Sequence, residues 1–298
     1  MTRLKIIFPS GAPKDVVQLE SNLSVLRHDG FDIPPVRDIS NLANSLTAGS
    51  IDDRAKELQE SILDRDRKIC LVGRGGYGGA DILPLLDWPK LKKEPTLIVG
   101  FSDCSAFHAA FYTRLSWKGL HGPMPSLPYW QPNAGDVVQL KNILKKEEKQ
   151  ISQIDLEPLQ RDHDETLSGP LFGGCFSVLT NLIGTPWFPS LKGHLLFLED
   201  ISEPPGRLLR SFSQWLQSGV LEGVKGIILG SFKGCIDGQR GISERDLKNL
   251  LADRSPTAAF STEAFGHQPL NTPIPIGIRG TIKGQKLSFN PEDLYDFF

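Results

Sequence analysis

The sequence predicts an α/β protein made of two lobes. We expect an N-terminal lobe with a parallel sheet flanked by helices and a smaller, mixed, β-rich C-terminal lobe. Short apolar runs alternate with amphipathic stretches over residues 4–115, residues 136–166 are polar and charged, and apolar, glycine-rich segments return from residue 167. Alternating strands and helices favour a parallel sheet covered on both faces. The predicted lobes are therefore 1–135 and 167–298, joined by a linker.

The elements of the first half follow from the spacing of their apolar residues. Leu19, Leu23 and Leu26 recur at helical intervals, whereas short continuous apolar runs that end at proline or glycine are typical of buried strands. These patterns predict, in chain order, a strand at 4–8, helices at 13–28 and 51–64, strands at 68–72 and 95–100, and a helix at 106–115.

The second half is predicted to contain more β-structure. Apolar runs predict strands at 194–198 and 224–230 around a helix at 208–216, and a tail rich in Pro, Gly and Ile from residue 272 predicts short strands and turns. The linker contains the mixed-sign run 145–149. Mixed charges are typical of a solvated face, so we expect one exposed helix there.

Composition excludes several classes of protein. The 298 residues include 33 basic and 35 acidic side chains, for a net charge of −2. A nucleic-acid or membrane-surface partner would favour a basic excess, so neither is expected. The N-terminal apolar run is too short for a signal peptide, and no segment approaches the ~20 apolar residues of a membrane span. These features predict a cytoplasmic protein.

The four cysteines are widely spaced and form no CxxC pair: Cys70, Cys104, Cys175 and Cys235. This spacing predicts free thiols in a reducing compartment, with neither a disulfide framework nor a zinc site. Neither a metal nor an organic cofactor is expected.

The segment Leu97–Ala106 places Ser102 at the tip of a predicted strand–turn–helix. Gly100 and Cys104, two positions before and after it, are small, as a nucleophile elbow requires. This geometry would also place the Asp103 N–H and a helix N-terminus near a developing oxyanion. Helix capping by Ser102 is the alternative interpretation.

A glycine-rich segment, residues 72–79, follows another predicted strand. Its glycines could cradle a phosphate, complete an oxyanion hole, or form a tight turn. The spacing fits neither the Walker nor the dinucleotide pattern. A turn alone would explain two glycines but hardly five.

Acid–base chemistry would need a carboxylate and a histidine from elsewhere in the chain. Glu199 and Asp200 end a predicted strand, a common position for catalytic groups in α/β proteins, and Glu203 is a nearby competitor. Histidine is the usual general base. His121 and His267, both in predicted turns or loops, are the best candidates, and the pattern does not decide between them. The other histidines occupy a helix end, a packed helix, the linker and the start of a strand: His28, His108, His163 and His194.

Taken together, these motifs resemble the LD-carboxypeptidase family of serine peptidases, which also includes microcin C immunity proteins. The order of the motifs along the chain carries the resemblance more than any single motif. The matching segments are Pro9-Ser10, Arg74-Gly75-Gly76-Tyr77-Gly78, Gly100-Phe101-Ser102-Asp103, His121-Gly122-Pro123, Gly173-Gly174, Gly184-Thr185-Pro186, Leu198-Glu199-Asp200-Ile201 and Gly266-His267.

The resemblance implies a triad of Ser102, Glu199 and His267. It also implies an oxyanion hole formed by the Asp103 N–H and an N–H of the loop containing Gly75 and Gly76. The family is two-lobed and often dimeric, so a homodimer is expected. An exopeptidase must bind a free carboxylate, and charge and location make Arg74 a candidate for that role.

The resemblance implies cleavage of an amide bond before a C-terminal residue, typically the D-alanine of a murein tetrapeptide during cell-wall recycling. An immunity-type amidase acting on peptide or aminoacyl-nucleotide conjugates, a non-catalytic muropeptide-binding protein and a phosphate-sugar-binding protein are the alternatives. Two departures from the family pattern affect specificity. Phe101 replaces the usual tyrosine, and Cys175-Phe176 stands where Asn-Leu is frequent.

Overall fold

A computed structural model describes residues 1–39, 42, 45–159 and 165–298. Residues 160–164, which include His163 and part of the predicted linker, lie outside the described part. The described strands are β1 (Thr2–Arg3), β2 (Lys5–Ile7), β3 (Phe31–Asp32), β4 (Ile69–Val72), β5 (Leu97–Val99), β6 (Gly119–His121), β7 (Ser152–Asp155), β8 (Glu157–Pro158), β9 (Leu167–Cys175), β10 (Leu195–Glu199), β11 (Gly226–Leu229), β12 (Ala259–Ser261), β13 (Ile274–Ile276), β14 (Arg279–Lys283) and β15 (Lys286–Phe289).

Helices connect these strands, and the described ones are α1 (Val16–His28), α2 (Ile51–Ile62), α3 (Gly79–Ile82), α4 (Trp88–Leu91), α5 (Ser105–Leu115), α6 (Gly135–Leu144), α7 (Phe176–Thr180), α8 (Pro205–Gln217) and α9 (Glu244–Ala252). Side-chain caps fix the starts of two of them. Asp15 accepts a hydrogen bond from the Gln18 N–H, and Ser50 accepts one from the Asp53 N–H. These polar caps satisfy otherwise unpaired N–H groups and explain where the predicted helices begin.

The first sheet has the order β13-β6-β5-β4-β2. Four of its strands are parallel, and β13 is antiparallel to β6 with Ile274 opposite His121. The expectation of a parallel sheet with intervening helices is confirmed. Because parallel strands end at the same edge of a sheet, the segments that follow β2, β4, β5 and β6 meet there. These segments contain the proline-serine, glycine-rich, Ser102 and His121 motifs.

The second sheet has eight strands in the order β7-β15-β14-β9-β10-β11-β12-β8. Its central strands β9 to β12 are parallel, and its outer strands pair antiparallel. The expected mixed, β-rich second region is therefore present. Glu199 ends the buried strand β10 opposite Cys175 of β9.

The two sheets share one apolar core. Phe101 and Phe107 from the first half belong to the same buried cluster as Phe172, Phe197 and Phe265 from the second. Strand β13 also returns from the C-terminal part of the chain to the first sheet. The division into lobes at residues 136–166 stays a prediction.

The expectation of an exposed helix in the linker is wrong. Helix α6 buries Val137, Leu140, Ile143 and Leu144 in a second apolar cluster, together with the carboxylate of Asp136. The charge run that suggested exposure begins only after the helix ends at Leu144. The apolar residues of α6 recur at 3–4-residue intervals, which is the pattern of a packed helix face.

Within the described ranges, no helix combines the length and the apolar character needed to cross a membrane.

Candidate active site

Ser102 lies at a sharp turn between β5 and α5. Its φ of 61° is in the left-handed region, which costs energy for a residue with a side chain and is concentrated at functional sites. A short 3₁₀ turn, Ser102–Cys104, leads directly into α5. Gly100 has a φ of 155°, and a Cβ there would lie 3.0 Å from Val72 Cβ and 3.1 Å from Cys104 Sγ. The tight packing of this turn therefore requires glycine at position 100.

His108 anchors helix α5 to the strand end before Ser102. Burial lowers the pKa of His108 to about 4, so the imidazole is neutral near pH 7. Its Nε2 lies 3.0 Å from the Gly100 carbonyl oxygen and 3.6 Å from Cys104 Sγ. We infer that the Nε2–H donates to the Gly100 carbonyl, which fixes the geometry of the turn from within the core.

The glycine-rich loop lies directly against Ser102. A Cβ on Gly75 would be 2.9 Å from Ser102 Cβ and 3.3 Å from the Asp103 backbone nitrogen. The Gly75 carbonyl accepts a hydrogen bond from the Gly11 N–H at 2.8 Å. Glycine at position 75 thus lets two backbone segments approach the serine closely. An oxyanion hole shared between Asp103 and the loop would require such a close approach.

Arg74 and the Asp103 side chain interact with this loop and its neighbours. The Arg74 guanidinium donates to the carbonyl of Ala12, and burial lowers its pKa. Asp103 accepts a hydrogen bond from the Gly79 N–H at 2.7 Å, and burial raises the pKa of its carboxyl group. The Asp103 carboxylate therefore fixes the glycine-rich loop, whereas its backbone N–H lies near Gly75.

Arg54, which the sequence analysis did not single out, also holds this loop. Its side chain is 1% exposed, and it donates to the carbonyls of Pro9 at 2.8 Å and Gly78 at 2.7 Å. Arg54 shares the buried face of α2 with Leu58 and Ile62. An arginine on an otherwise apolar helix face was the signal that could have identified it, because buried charges are retained only with partners.

Glu199 and His267 form a buried pair at the carboxyl end of the second sheet. His267 Nδ1 lies 2.6 Å from Glu199 Oε2, with Glu199 fully buried and His267 8% exposed. Burial alone would lower the pKa of His267, but the adjacent Glu199 carboxylate outweighs that effect and raises it. Gly266, with a φ of 121°, permits the approach, since a Cβ there would lie 3.2 Å from Glu199 Cβ.

The imidazole of His267 packs against the residue that precedes Ser102. The ring centroids of Phe101 and His267 are 4.7 Å apart. Among the hydrogen bonds of the described residues, the Ser102 hydroxyl makes none, so the third contact of a triad is not formed here. Catalytic hydrogen bonds of this kind are often long in unliganded enzymes and tighten when substrate binds.

The other candidate carboxylates have different partners. Asp200 accepts hydrogen bonds from the Ser177 N–H at 2.8 Å and the Ile201 N–H at 2.9 Å, and burial raises its pKa to about 6. Glu203 forms an ion pair with Arg207 at 3.1 Å. Of these three carboxylates, Glu199 is therefore the one at hydrogen-bond distance from His267.

His121, the alternative base, is fully buried among aromatic rings. Burial lowers its pKa to about 4. Cys175, one of the two departures from the family pattern, is also buried, with its sulfur 3.4 Å from the Ser177 hydroxyl oxygen and 3.6 Å from Asp200. The choice between His121 and His267, which the pattern left open, now favours the histidine that pairs with a carboxylate.

Comparison with known proteins agrees with this geometry. Residues 4–122 match the model of the LD-carboxypeptidase N-terminal domain, and residues 168–282 match that of the C-terminal domain. The chain belongs to the LD-carboxypeptidase family. The comparisons support carboxypeptidase activity for it, so the resemblance inferred from the ordered motifs is confirmed.

Three relatives illustrate the extent of the similarity to the LD-carboxypeptidase family. A putative carboxypeptidase of Streptomyces coelicolor is 35% identical over 93% of this chain and 88% of its own. The murein tetrapeptide carboxypeptidase of Pseudomonas aeruginosa is 30% identical over 96% and 94%. The structure of muramoyltetrapeptide carboxypeptidase from Oxalobacter formigenes superimposes with a TM-score of 0.83 at 27% identity, covering 96% of this chain and 97% of that one.

An MccF-like protein of Bacillus anthracis shares the fold, with a TM-score of 0.81 at 21% identity over 97% of this chain and 96% of its own.

Proposed function

We propose that this LD-carboxypeptidase family member is a serine peptidase that removes the C-terminal, D-configured residue from murein tetrapeptides. The observation that carries the proposal is the buried Glu199–His267 pair at 2.6 Å, packed through Phe101 against the strained turn that presents Ser102. A histidine paired with a carboxylate, packed against the turn that presents a serine, supplies the acid–base part of the arrangement used in nucleophilic catalysis.

The first half of the reaction forms an acyl-enzyme. His267 Nε2 takes the proton from the Ser102 hydroxyl as Oγ attacks the scissile carbonyl carbon. The N–H groups of Asp103 and of Gly75 or Gly76 stabilise the oxyanion of the tetrahedral intermediate. The C–N bond then breaks, and the leaving amine takes the proton from His267 Nε2.

Water completes the reaction. It attacks the acyl ester while His267 accepts its proton, and the C–O bond to Ser102 breaks with that proton returned to the serine oxygen. Throughout, the Nδ1–H of His267 donates to Glu199, which fixes the tautomer and stabilises the transient imidazolium. These steps use no metal or organic cofactor.

Substrate class and setting rest on the relatives. Two of them are described as a murein tetrapeptide carboxypeptidase and a probable murein peptide carboxypeptidase, at 30% and 28% identity. We propose a cytoplasmic role in peptidoglycan recycling, with Arg74 as the partner of the substrate carboxylate and a homodimer as the working form. The Arg74 role would require its bond to the Ala12 carbonyl to be shared or exchanged when substrate binds.

Labelling with a fluorophosphonate, followed by peptide mass mapping, tests the nucleophile. We expect one adduct, on Ser102. An adduct at another residue would overturn the assignment, and no adduct together with no turnover would favour a muropeptide-binding protein.

A second assay tests the substrate. We expect release of D-alanine from a murein tetrapeptide to be faster than cleavage of an aminoacyl-sulfamoyl nucleotide. The reverse preference would place the chain with the immunity-type amidases, to whose fold it is similar.

A further inference from the structure

His121 contacts all three segments that carry the proposed triad. Its ring centroid lies 5.5 Å from that of Phe101, the residue before the nucleophile. It lies 5.4 Å from that of Phe197, two positions before the triad carboxylate, and 6.1 Å from that of Phe265, two positions before the triad histidine. His121 itself ends a strand of the first sheet. It therefore joins the nucleophile segment to both segments of the acid–base pair.

Polar atoms that make no well-formed hydrogen bond lie around this ring. Within the described residues they are both ring nitrogens of His121, Nδ2 of Asn271 and Oε1 of Glu199, and all three side chains have 0% exposure. The Asn271 carboxamide is nevertheless close enough to interact with the His121 imidazole, and the Glu199 charge also raises the pKa of that ring against the larger effect of burial. Buried polar groups are normally paired, so such a cluster beside a catalytic pair calls for a functional explanation.

Asn271 also fixes the loop that presents His267. Its Oδ1 accepts a hydrogen bond from the Gly266 N–H at 3.0 Å. Its own N–H donates to Asp136 Oδ2 at 3.0 Å, and Asp136 lies in the first turn of α6. Asn271 thus connects the loop of the triad histidine to helix α6, whose apolar residues pack in the second apolar cluster.

We propose that His121 and Asn271 are positioning residues that supply the polar surroundings of the second carboxylate oxygen of Glu199 and hold the three triad segments together. This inference rests on the proposed function, in which Glu199 orients His267. Neither residue touches the reacting atoms. Both act through Glu199 and through the loop of the triad histidine.

Neutrality of His121 is part of this role. Since burial lowers its pKa to about 4, the ring carries one N–H donor and one acceptor near pH 7. A neutral ring adds no positive charge that would compete with His267 for the Glu199 carboxylate, whose charge raises the pKa of His267. The groups whose charges act on the two histidines are Glu199, Asp200 and Lys233 for His267, and Glu199 and His267 for His121. The charge of His121 acts in turn on His108.

The test compares two His→Phe variants by the pH profile of kcat/KM on a murein tetrapeptide and by the rate of fluorophosphonate labelling. His121→Phe keeps the ring contacts but removes both nitrogens. His194→Phe is the matched control, because His194 is a buried histidine that bonds the Tyr112 hydroxyl at 2.8 Å and takes no part in the proposed site.

We expect His121→Phe to lower the plateau of kcat/KM about 10–100-fold, as loss of outer-shell partners does at metal sites. The acid limb should move to lower pH, because a less firmly held His267 loop weakens the contact with Glu199 that raises the pKa of His267. His194→Phe should leave the plateau of kcat/KM and the position of the acid limb unchanged. A His121→Phe profile that superimposes on the wild-type profile would overturn the inference.

A double-mutant cycle separates positioning from general damage. In a Glu199→Gln background the carboxylate charge is gone, so adding His121→Phe should cost no more than about twofold. If His121→Phe lowered kcat/KM by the same factor in the Glu199→Gln background as in the wild type, the two effects would be independent and the proposal would be contradicted. Should His121→Phe fail to fold, as judged by its circular dichroism melt, Asn271→Leu alone and with Glu199→Gln provides the same comparison.

The wild-type protein distinguishes the two levels of proposal. If it neither labels at Ser102 nor cleaves the peptide, the proposed function fails and this inference fails with it. If it does both and the variants behave as wild type, only the roles of His121 and Asn271 are wrong.

Discussion

The two sides of the proposed site are held in place by different means. On the nucleophile side, backbone segments approach one another closely: Ser102 has a φ of 61°, and a Cβ on Gly75 would lie 2.9 Å from Ser102 Cβ. On the acid–base side, a buried carboxylate and an imidazole meet at 2.6 Å. Activity should therefore be sensitive to substitutions that enlarge a side chain on the nucleophile side. On the acid–base side it should be sensitive to substitutions that remove the carboxylate charge.

Removing the nucleophile should have the largest effect. Ser102→Ala deletes only the attacking oxygen, and we expect kcat to fall by roughly 10⁶, as in serine proteases that lose their serine. Tetrapeptide turnover and fluorophosphonate labelling measure the loss. Because alanine and serine are nearly equal in size, the melting temperature should stay close to that of the wild type. Residual labelling at an unchanged rate would place the nucleophile elsewhere.

Neutralising the carboxylate tests the acid–base side. Glu199→Gln should lower kcat by about 10⁴, the cost of the corresponding change in a well-studied triad. In the wild type, the imidazole must be unprotonated to act as a base, so kcat/KM should rise with pH through the raised pKa of His267. In Glu199→Gln the carboxylate effect is lost while burial still lowers that pKa. The rise of kcat/KM with pH should therefore occur at lower pH than in the wild type. A rise that moved to higher pH would contradict the assigned pair.

Adding a methyl group tests the nucleophile side. Gly75→Ala should reduce kcat about 10²–10³-fold, the range for loss of an oxyanion donor, because the new Cβ would displace the loop from Ser102. Gly135→Ala is the matched control, since a Cβ there meets nothing within 4 Å. Equal steady-state rates for the two variants would show that the loop takes no part in catalysis.

The smallest expected effect is on stability, and it comes from removing the arginine that holds the glycine-rich loop. Arg54→Met leaves the carbonyls of Pro9 and Gly78 without their donor, and we expect a loss of about 2–3 kcal/mol in the free energy of unfolding. Urea denaturation measures it. Arg65→Met, which removes an exposed arginine paired with Glu94, should stay within about 0.5 kcal/mol of wild type. A similar stability for both variants would mean that Arg54 does not brace the loop.

Much of the first sheet and of the nucleophile turn could be predicted from local pattern. The strands at 68–72 and 95–100 were expected within two residues of β4 and β5, and the small residues around Ser102 indicated a tight turn. These features depend on a few neighbouring residues. The exposed linker helix was the failure, because the charge run after α6 hid the periodic apolar residues within it.

The acid–base side could not be derived from local pattern. Glu199 and His267 are 68 residues apart and meet only because β10 and the loop after β12 lie at the same end of the second sheet. The ordered family motifs pointed to this pair, whereas residue chemistry alone left His121 equally eligible. The roles we assign to Arg54 and Asn271 likewise depend on long-range contacts that no short segment contains.

The sequence by itself determined the α/β class, the family and the serine turn, because periodicity, glycine placement and motif order are properties of contiguous residues. Only the tertiary structure decided which histidine faces a carboxylate and which is enclosed among aromatic rings. Burial and the approach of distant charges set those properties, and both depend on how the two sheets pack together.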